Sequence, residues 1–365
     1  MQVRQSSQHF RRFPTLQTSS FIRTICSVDM PTATPRRLRT ALSRLSLLLG
    51  ALLLALGSSQ RTQAQVDGSA VNFCTAFESS PLTQGARSVV FGDWDADDGA
   101  WDATDRLIQA FSGDTLTEGL LQERDSVTGT WDDALQAVPT YDASNRLDAC
   151  TVKEEDEGSF VNRLRFDRTY TAADLLDEQV LEGWDTTAAH PTGTWVPLSR
   201  STFRYDAAEN DTLEVVEAWI PDSGTWLPTR RVRRTYDAES RVTLQQTDEW
   251  LPTSQAWARD TRTETTYTAD STVSVTERWT GASWVNATRT ITQLGNDGVP
   301  TTRRTDVWEA GPDVWVPDDR GTNTYTTVDG QTKLARVVDE DWNEDTNTWE
   351  NSDRTRFSYD SIIPV

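Results

Sequence analysis

The chain has 365 residues, 36% of them apolar and 25% charged, with a formal net charge of −21 and a mean hydropathy of −0.58. Lys153 and Lys333 are the only lysines, and so acidic a chain excludes nucleic acid and anionic membrane surfaces as partners, because phosphate contacts need basic patches. The scarcity of aliphatic residues also argues against an ordinary packed globule of this length.

Residues 1–64 read as an export signal region. Arg36, Arg37, Arg39 and Arg44 precede the apolar run 45–56, which is too short to span a bilayer comfortably, and Thr62 and Ala64 are the small residues of a cut after Ala64. Met30 is placed to be the true start. This region holds nine Arg and one acid, a net of +8, which leaves −29 on residues 65–365. Residues 65–86 read as an N-terminal cap covering the open side of the first strand. Cys26 lies upstream of the cut. Cys74 and Cys150 are either a disulfide, as an exported protein can keep, or two buried thiols. No CxxC pair exists to hold structural zinc, and no cofactor is expected.

From residue 87 onward one frame recurs: Trp, Arg five residues on and Tyr ten residues on. It fits Trp101/Arg106/Phe111, Trp131/Gln136/Tyr141, Phe160/Arg165/Tyr170, Trp195/Arg200/Tyr205 and Trp226/Arg231/Tyr236. It continues in Trp257/Arg262/Tyr267, Trp284/Arg289/Leu294, Trp315/Arg320/Tyr325 and Trp349/Arg354/Tyr359. A second Trp usually stands seven residues earlier (Trp94, Trp219, Trp250, Trp308, Trp342), while Trp279 stands five and Trp184 eleven before. Fixed spacing within units, with 27–35 residues between them, is how strands joined by turns behave. The segments are rich in Thr, Val, Trp and Tyr and lack helical periodicity, and the links P-D-S-G, T-G-A-S and E-A-G-P are turn-like. The expected fold is all-β: an elongated, solenoid-like antiparallel meander of nine two-stranded repeats over 87–365.

Alternation along a regular strand puts Trp and Tyr on one side and Arg on the other. Two positions before the first Trp stand Glu182, Glu217, Asp248, Glu277, Asp306 and Glu340; seven before stand Thr212, Thr243, Thr272 and Thr301. If Tyr236 faces Thr243, then Arg231 faces Asp248, Arg200 faces Glu217 and Arg289 faces Asp306. This predicts a ladder of Arg–carboxylate pairs beside a row of Tyr–Thr pairs, each pair contributing roughly 0.2–1 kcal/mol. The recurring Trp and Tyr are the expected core. Alternatively they form an exposed aromatic stripe for sugar rings, with Trp195, Trp219, Trp226, Trp250, Trp257, Trp284 and Trp315 as the candidate binding residues.

Chemistry is harder to find. Asp93, Asp95 and Asp97 in G-D-W-D-A-D-D-G resemble a calcium loop, but Asp98 occupies the sixth position, where Gly is needed, and Ala103 the twelfth. His190 sits beside Pro in a loop, and no G-x-S-x-G, H-E-x-x-H or P-loop occurs. No carboxylate pair stands out from the repeating background as a glycosidase dyad. An outer-membrane barrel fits the strand outline, but between Trp226 and Tyr236 both faces carry arginine, at about 2–4 kcal/mol per midplane Arg in lipid.

At Y-D-A-S-N-R-L (141–147), Y-D-A-A-E-N-D-T-L (205–213) and Y-D-A-E-S-R-V-T-L (236–244) the chain resembles the YD or RHS-type repeats of bacterial surface proteins. In those, Tyr-Asp opens a turn and Gly-Arg enters the next strand; here the Gly is absent from all three turns. The resemblance implies a non-catalytic β-sheet protein. The expected function is an exported, non-enzymatic structural or adhesive module of the cell envelope, partnered by a polysaccharide or another envelope protein and not membrane-spanning. A carbohydrate-binding module using the Trp rows is the alternative, and a carboxylate-dependent glycan hydrolase ranks below both.

Overall fold

The computed structural model describes residues 87–95, 99–113, 115–186 and 192–359. The expected signal 1–64, the cap 65–86 and His190 lie outside the described residues. Strands follow one another in the order β1 Ser88–Asp95, β2 Ala100–Ser112, β3 Thr115–Arg124, β4 Trp131–Tyr141, β5 Leu147–Asp156 and β6 Ser159–Tyr170. Next come β7 Leu176–Asp185, β8 Thr194–Tyr205, β9 Asp211–Ile220, β10 Thr225–Tyr236, β11 Val242–Leu251 and β12 Ala256–Tyr267. The last six are β13 Ser271–Trp279, β14 Trp284–Leu294, β15 Pro300–Glu309, β16 Val314–Val328, β17 Gln331–Asn343 and β18 Thr348–Ser358.

Each strand pairs antiparallel with the next, and β18 pairs back onto β1, with Ser88 opposite Ser358 and Val90 opposite Arg356. The 18 strands therefore form a closed barrel, not the elongated, solenoid-like sheet that the repeat suggests. An open meander leaves two edges of unpaired N–H and C=O groups; twist and stagger bring them together, and closure removes both.

Every unit carries a two-for-one bulge at the third residue after its second aromatic. Thr229, for example, is the extra residue between Pro228 and Arg230, and Asp260 and Ala287 play the same part. This bulge corrects the expected faces. It shifts the alternation by one residue, so Trp and Arg, five apart, share a face, and Tyr lies on the other. Most units have a second bulge after the Tyr turn. Tyr236 faces Val242, Tyr205 faces Asp211 and Leu294 faces Pro300, which leaves Thr243, Thr212 and Thr301 as the extra residues. The expected Tyr–Thr row survives only where this bulge is missing, at Tyr267 opposite Thr272. The displaced threonines still serve the wall, because a bulge leaves a carbonyl without its ladder donor. Thr243, Thr212 and Thr301 hydroxyls donate to the carbonyls of Thr235, Arg204 and Gln293 at 3.2–3.3 Å.

The Trp–Arg face is the outer one. Opposed residues from Thr235 through Leu244, Glu264, Val275, Arg289 and Asp306 to Pro317 carry a path from the Tyr end of the wall to the Trp end. In the right-handed coil of closed sheets, that stagger sets outward the residues of β10 whose N–H groups aim at β11, as Asp237 N–H does toward Arg241 O. Those are the odd residues, Arg231 among them.

Among the described residues, all buried apolar side chains lie on the inner, Tyr face. Val89, Phe91, Leu107, Leu121, Ala137, Cys150, Val152, Phe166, Leu334, Val337 and Phe357 form one cluster across β17, β18 and β1–β6. No Trp belongs to it, while Tyr141, Tyr325 and Tyr359 pack against it, so of the expected Trp and Tyr core only the tyrosines face the cluster.

Candidate functional site

The outer face is built from one arrangement repeated around the barrel. Where the chain leaves one strand and enters the next at the Trp end, two indoles meet edge to face. Seven such pairs have centroids 4.8–5.2 Å apart, from Trp94–Trp101 to Trp342–Trp349. Such pairs are worth about 0.5–1.5 kcal/mol beyond their burial. Gly193 shows how tightly one pair is seated: it has φ +79°, and a Cβ there would lie 2.1 Å from the Trp184 ring. Trp131 instead faces Arg124, and Phe160 faces Glu155.

In every unit but that of Trp131, which has Gln136 in its place, the arginine reaches forward over the next unit's indole. Arg200 lies 4.9 Å from the centre of the Trp226 ring, Arg231 4.8 Å from Trp257 and Arg289 5.0 Å from Trp315. Carboxylates fix these guanidiniums in the predicted register. Arg231 Nε donates to Asp248 at 2.8 Å, Arg200 to Glu217 at 2.6 Å and Arg289 to Asp306 at 2.6 Å. Arg165–Glu182, Arg262–Glu277 and Arg320–Glu340 repeat the contact. Asp248 and Asp306 are almost wholly buried beneath their arginines; burial raises the Asp248 pKa, but hydrogen bonds from Arg231 and Gln246, with the charges of Arg233 and Arg231, outweigh it and leave the carboxyl below its ordinary range.

The ring closes in the same way. Arg354 of the last unit lies 4.9 Å from the centre of the Trp101 ring in the first. Here the ladder lacks its acid, because Gly92 stands opposite Arg354. Burial, with Arg356 and Arg336 nearby, lowers the Arg354 pKa.

Of the candidate binding residues, Trp195, Trp226, Trp257, Trp284 and Trp315 each carry an arginine over the ring, while Trp219 and Trp250 are the edge partners of Trp226 and Trp257. All seven are half-buried. The structure sets them in a row around the barrel, not in one convergent cleft.

Inside, Tyr hydroxyls stitch alternate strands. Tyr236 donates to Asp211 O at 2.6 Å, Tyr205 to Leu176 O and Tyr170 to Leu147 O at 2.7 Å; each acceptor is the residue facing the previous unit's Tyr. The Tyr-Asp turns depend on the aspartate. Asp237 Oδ1 accepts from the N–H groups of Glu239 and Arg241, and Arg241 Nε donates to its other oxygen at 2.6 Å. Asp142 does the same with Ser144 and Arg146. Burial raises the Asp237 pKa, but the Arg241 hydrogen bonds and charge outweigh it and leave the carboxyl below its ordinary range. Asn145, Glu209 and Ser240 take positive φ (61°, 63° and 59°) where the resembled repeats have Gly.

Two inner clusters had no sequence signature. Arg234 is buried between Asp211 at 2.6 Å and Glu214 at 3.2 Å, and burial raises both carboxyls despite it. Near the seam, Asp339 faces Asp353, which faces Asp93. Burial, then the neighbouring carboxylates, pushes Asp353 up to about 6; Asp339 reaches about 7, although Arg303 at 3.8 Å opposes the rise. Their signal would have been acids at inner positions, a phase hidden until the bulges are known. Among the described residues no group of three His, Cys, Asp or Glu is arranged to hold a metal. The calcium-like loop falls partly outside the described residues, at Asp97.

The class this geometry defines is a closed, up-and-down antiparallel barrel with a repeating wall. No family model matches the chain, and no curated protein does. Among solved structures it is similar to a porin-like protein from Bacteroides uniformis (9% identity, 76% of this chain and 97% of that one, TM-score 0.40). It is also similar to a protein of unknown function from Bacteroides fragilis (14% identity, 33% and 89%, TM-score 0.32). A TcdB2–TccC3 chain matches at 10% identity over 79% of this chain and 22% of that one, with a TM-score of 0.16. TM-scores this low carry no functional argument.

Proposed function

We propose that this chain is a non-catalytic, exported β-barrel that serves as a structural or adhesive module of the cell envelope or its surroundings. The observation that supports this reading best is that the repeated aromatic and charged side chains of the outer face engage each other. Indole meets indole, guanidinium covers indole and carboxylate holds guanidinium around the wall, and a guanidinium covers an indole across the seam. Such a face is built to hold a wall in register. The same ladder weighs against an outer face immersed in lipid, where each midplane Arg costs about 2–4 kcal/mol. The expected signal region and the −29 on residues 65–365 fit an exported, soluble form.

Half-buried indoles favour one alternative, a carbohydrate-binding wall using Trp219 and Trp250, which act as edge partners. A glycan array followed by intrinsic fluorescence titration separates the two. The structural reading expects no saturable quenching by any glycan; quenching that disappears in a Trp219→Ala/Trp250→Ala variant would replace it with the alternative.

A further inference from the structure

We propose that Arg336, Arg354 and Arg356, side by side on the outer face at the seam, bind one tetrahedral oxyanion of the phosphate or sulfate class. The three stand on the paired strands β17 and β18. Arg336 lies directly opposite Arg356 and Val338 opposite Arg354, which makes Arg336 and Arg354 diagonal neighbours. Opposed side chains leave a sheet about 4.5–5.5 Å apart and diagonal ones about 7–8 Å, a spacing from which long side chains converge. Like charges directly opposite each other destabilise a sheet, and a chain of net charge −21 has acids to spare. Yet among the described residues none of the three has a carboxylate partner. Arg354 covers Trp101, and Arg336 donates to the Thr324 hydroxyl at 3.4 Å.

The outer residues that face them are neutral. Thr324 faces Arg336 from β16, while Val90 faces Arg356 and Gly92 faces Arg354 from β1. Beyond Val90, Arg106 of β2 is held by the neutral Gln122 at 2.9 Å. The next outer carboxylate along β17, Glu340, is taken by two nitrogens of Arg320 at 2.7 and 2.8 Å. Burial, then the charges of Arg356 and Arg336, lowers the Arg354 pKa, as befits cations gathered without an anion.

The rest of the ladder shows what this place takes. Arg200, Arg231 and Arg289 each hold a carboxylate supplied by the next strand. At the seam that position is Gly92, where a Cβ would lie 2.6 Å from Asp102 O, so no side chain fits there to supply the anion. A carboxylate serves one ladder guanidinium, whereas three guanidiniums suit a small dianion whose several oxygens accept from all of them. The chain's overall negative charge repels extended polyanions, so the fit is to a single group. This site stands whether or not the indoles bind sugar.

The test is isothermal titration calorimetry of the full-length chain with inorganic phosphate, inorganic sulfate and methyl phosphate, against chloride at matched ionic strength. Saturable binding is expected, weakened at least about tenfold by Arg356→Gln, which alters an exposed side chain, and changed less than about twofold by Arg163→Gln, which removes the same charge from β6. Val90→Glu sets a carboxylate opposite Arg356 and is expected to abolish binding. Binding of methyl phosphate assigns the site to a monoester group; binding of the inorganic ions alone assigns it to the free ion. No saturable heat with any of these anions, or binding that survives Arg356→Gln or Val90→Glu undiminished, would overturn the proposal.

Discussion

Two arcs of one wall carry the same outer face and opposite inner faces. From β17 through β8 most buried inner side chains are Val, Leu, Phe and Cys, with Asp93, Asp339 and Asp353 near the seam; from β9 to β16 most are Thr, Ser, Arg and carboxylates, Val232 apart. Outside, Arg165–Glu182 in the first arc and Arg262–Glu277 in the second are the same contact, each with an indole beneath the guanidinium. Register along the wall therefore follows the outer ladder in both arcs, while burial follows the inner side chains of each.

If so, the two arcs should break differently. Phe166→Ala, in the apolar arc, is expected to cost about 3–5 kcal/mol in denaturant unfolding, whereas Thr263→Ala in the polar arc should cost under about 1 kcal/mol. The exception in the polar arc is Arg234. Arg234→Ala strands Asp211 and Glu214 in a buried site and is expected to cost about 3 kcal/mol, most of it recovered when Asp211→Asn and Glu214→Gln are added.

The seam acids sharpen the contrast through pH. The folded pKa values of Asp339 and Asp353 lie above the ordinary carboxylate range, so the folded barrel binds their protons more tightly than the unfolded chain does. Their penalty is absent below about pH 4 and complete above about pH 7. Unfolding midpoints from these groups should therefore fall between about pH 4 and 7, and Asp339→Asn should flatten that slope and stabilise by about 1 kcal/mol at pH 8. A wild-type profile as flat as that of Asp339→Asn would remove the seam from the account. The smallest effect is local: Glu209→Gly relieves a positive φ of 63° and is expected to stabilise by about 0.5–1 kcal/mol, read as a raised midpoint.

Much of the wall was legible because the repeat spacing is strict. Arg231 opposite Asp248 follows from counting between Tyr236 and Trp250, and the count holds because the bulge at Thr243 lies outside the stretch that joins them. The faces were not legible. A five-residue spacing between Trp226 and Arg231 reads as opposite sides in a regular strand, and only the extra residue Thr229 brings them together. Closure was hidden for a different reason. Nothing in a repeat says whether its last unit meets its first; here the first Trp lacks a preceding Arg, the last Arg lacks a following Trp, and Trp101 and Arg354 complete each other. Of the inner acids, Asp339 and Asp353 face each other across consecutive strands, but Asp93 joins them only through the closed seam.

Amide hydrogen exchange in β1 and β18 tests the closed ring most directly. A barrel predicts that Val90 and Arg356, opposite each other at the seam, are protected to the same degree as residues of β10 and β11. Fast exchange along both strands, with β10 and β11 protected, would show two free edges and contradict closure.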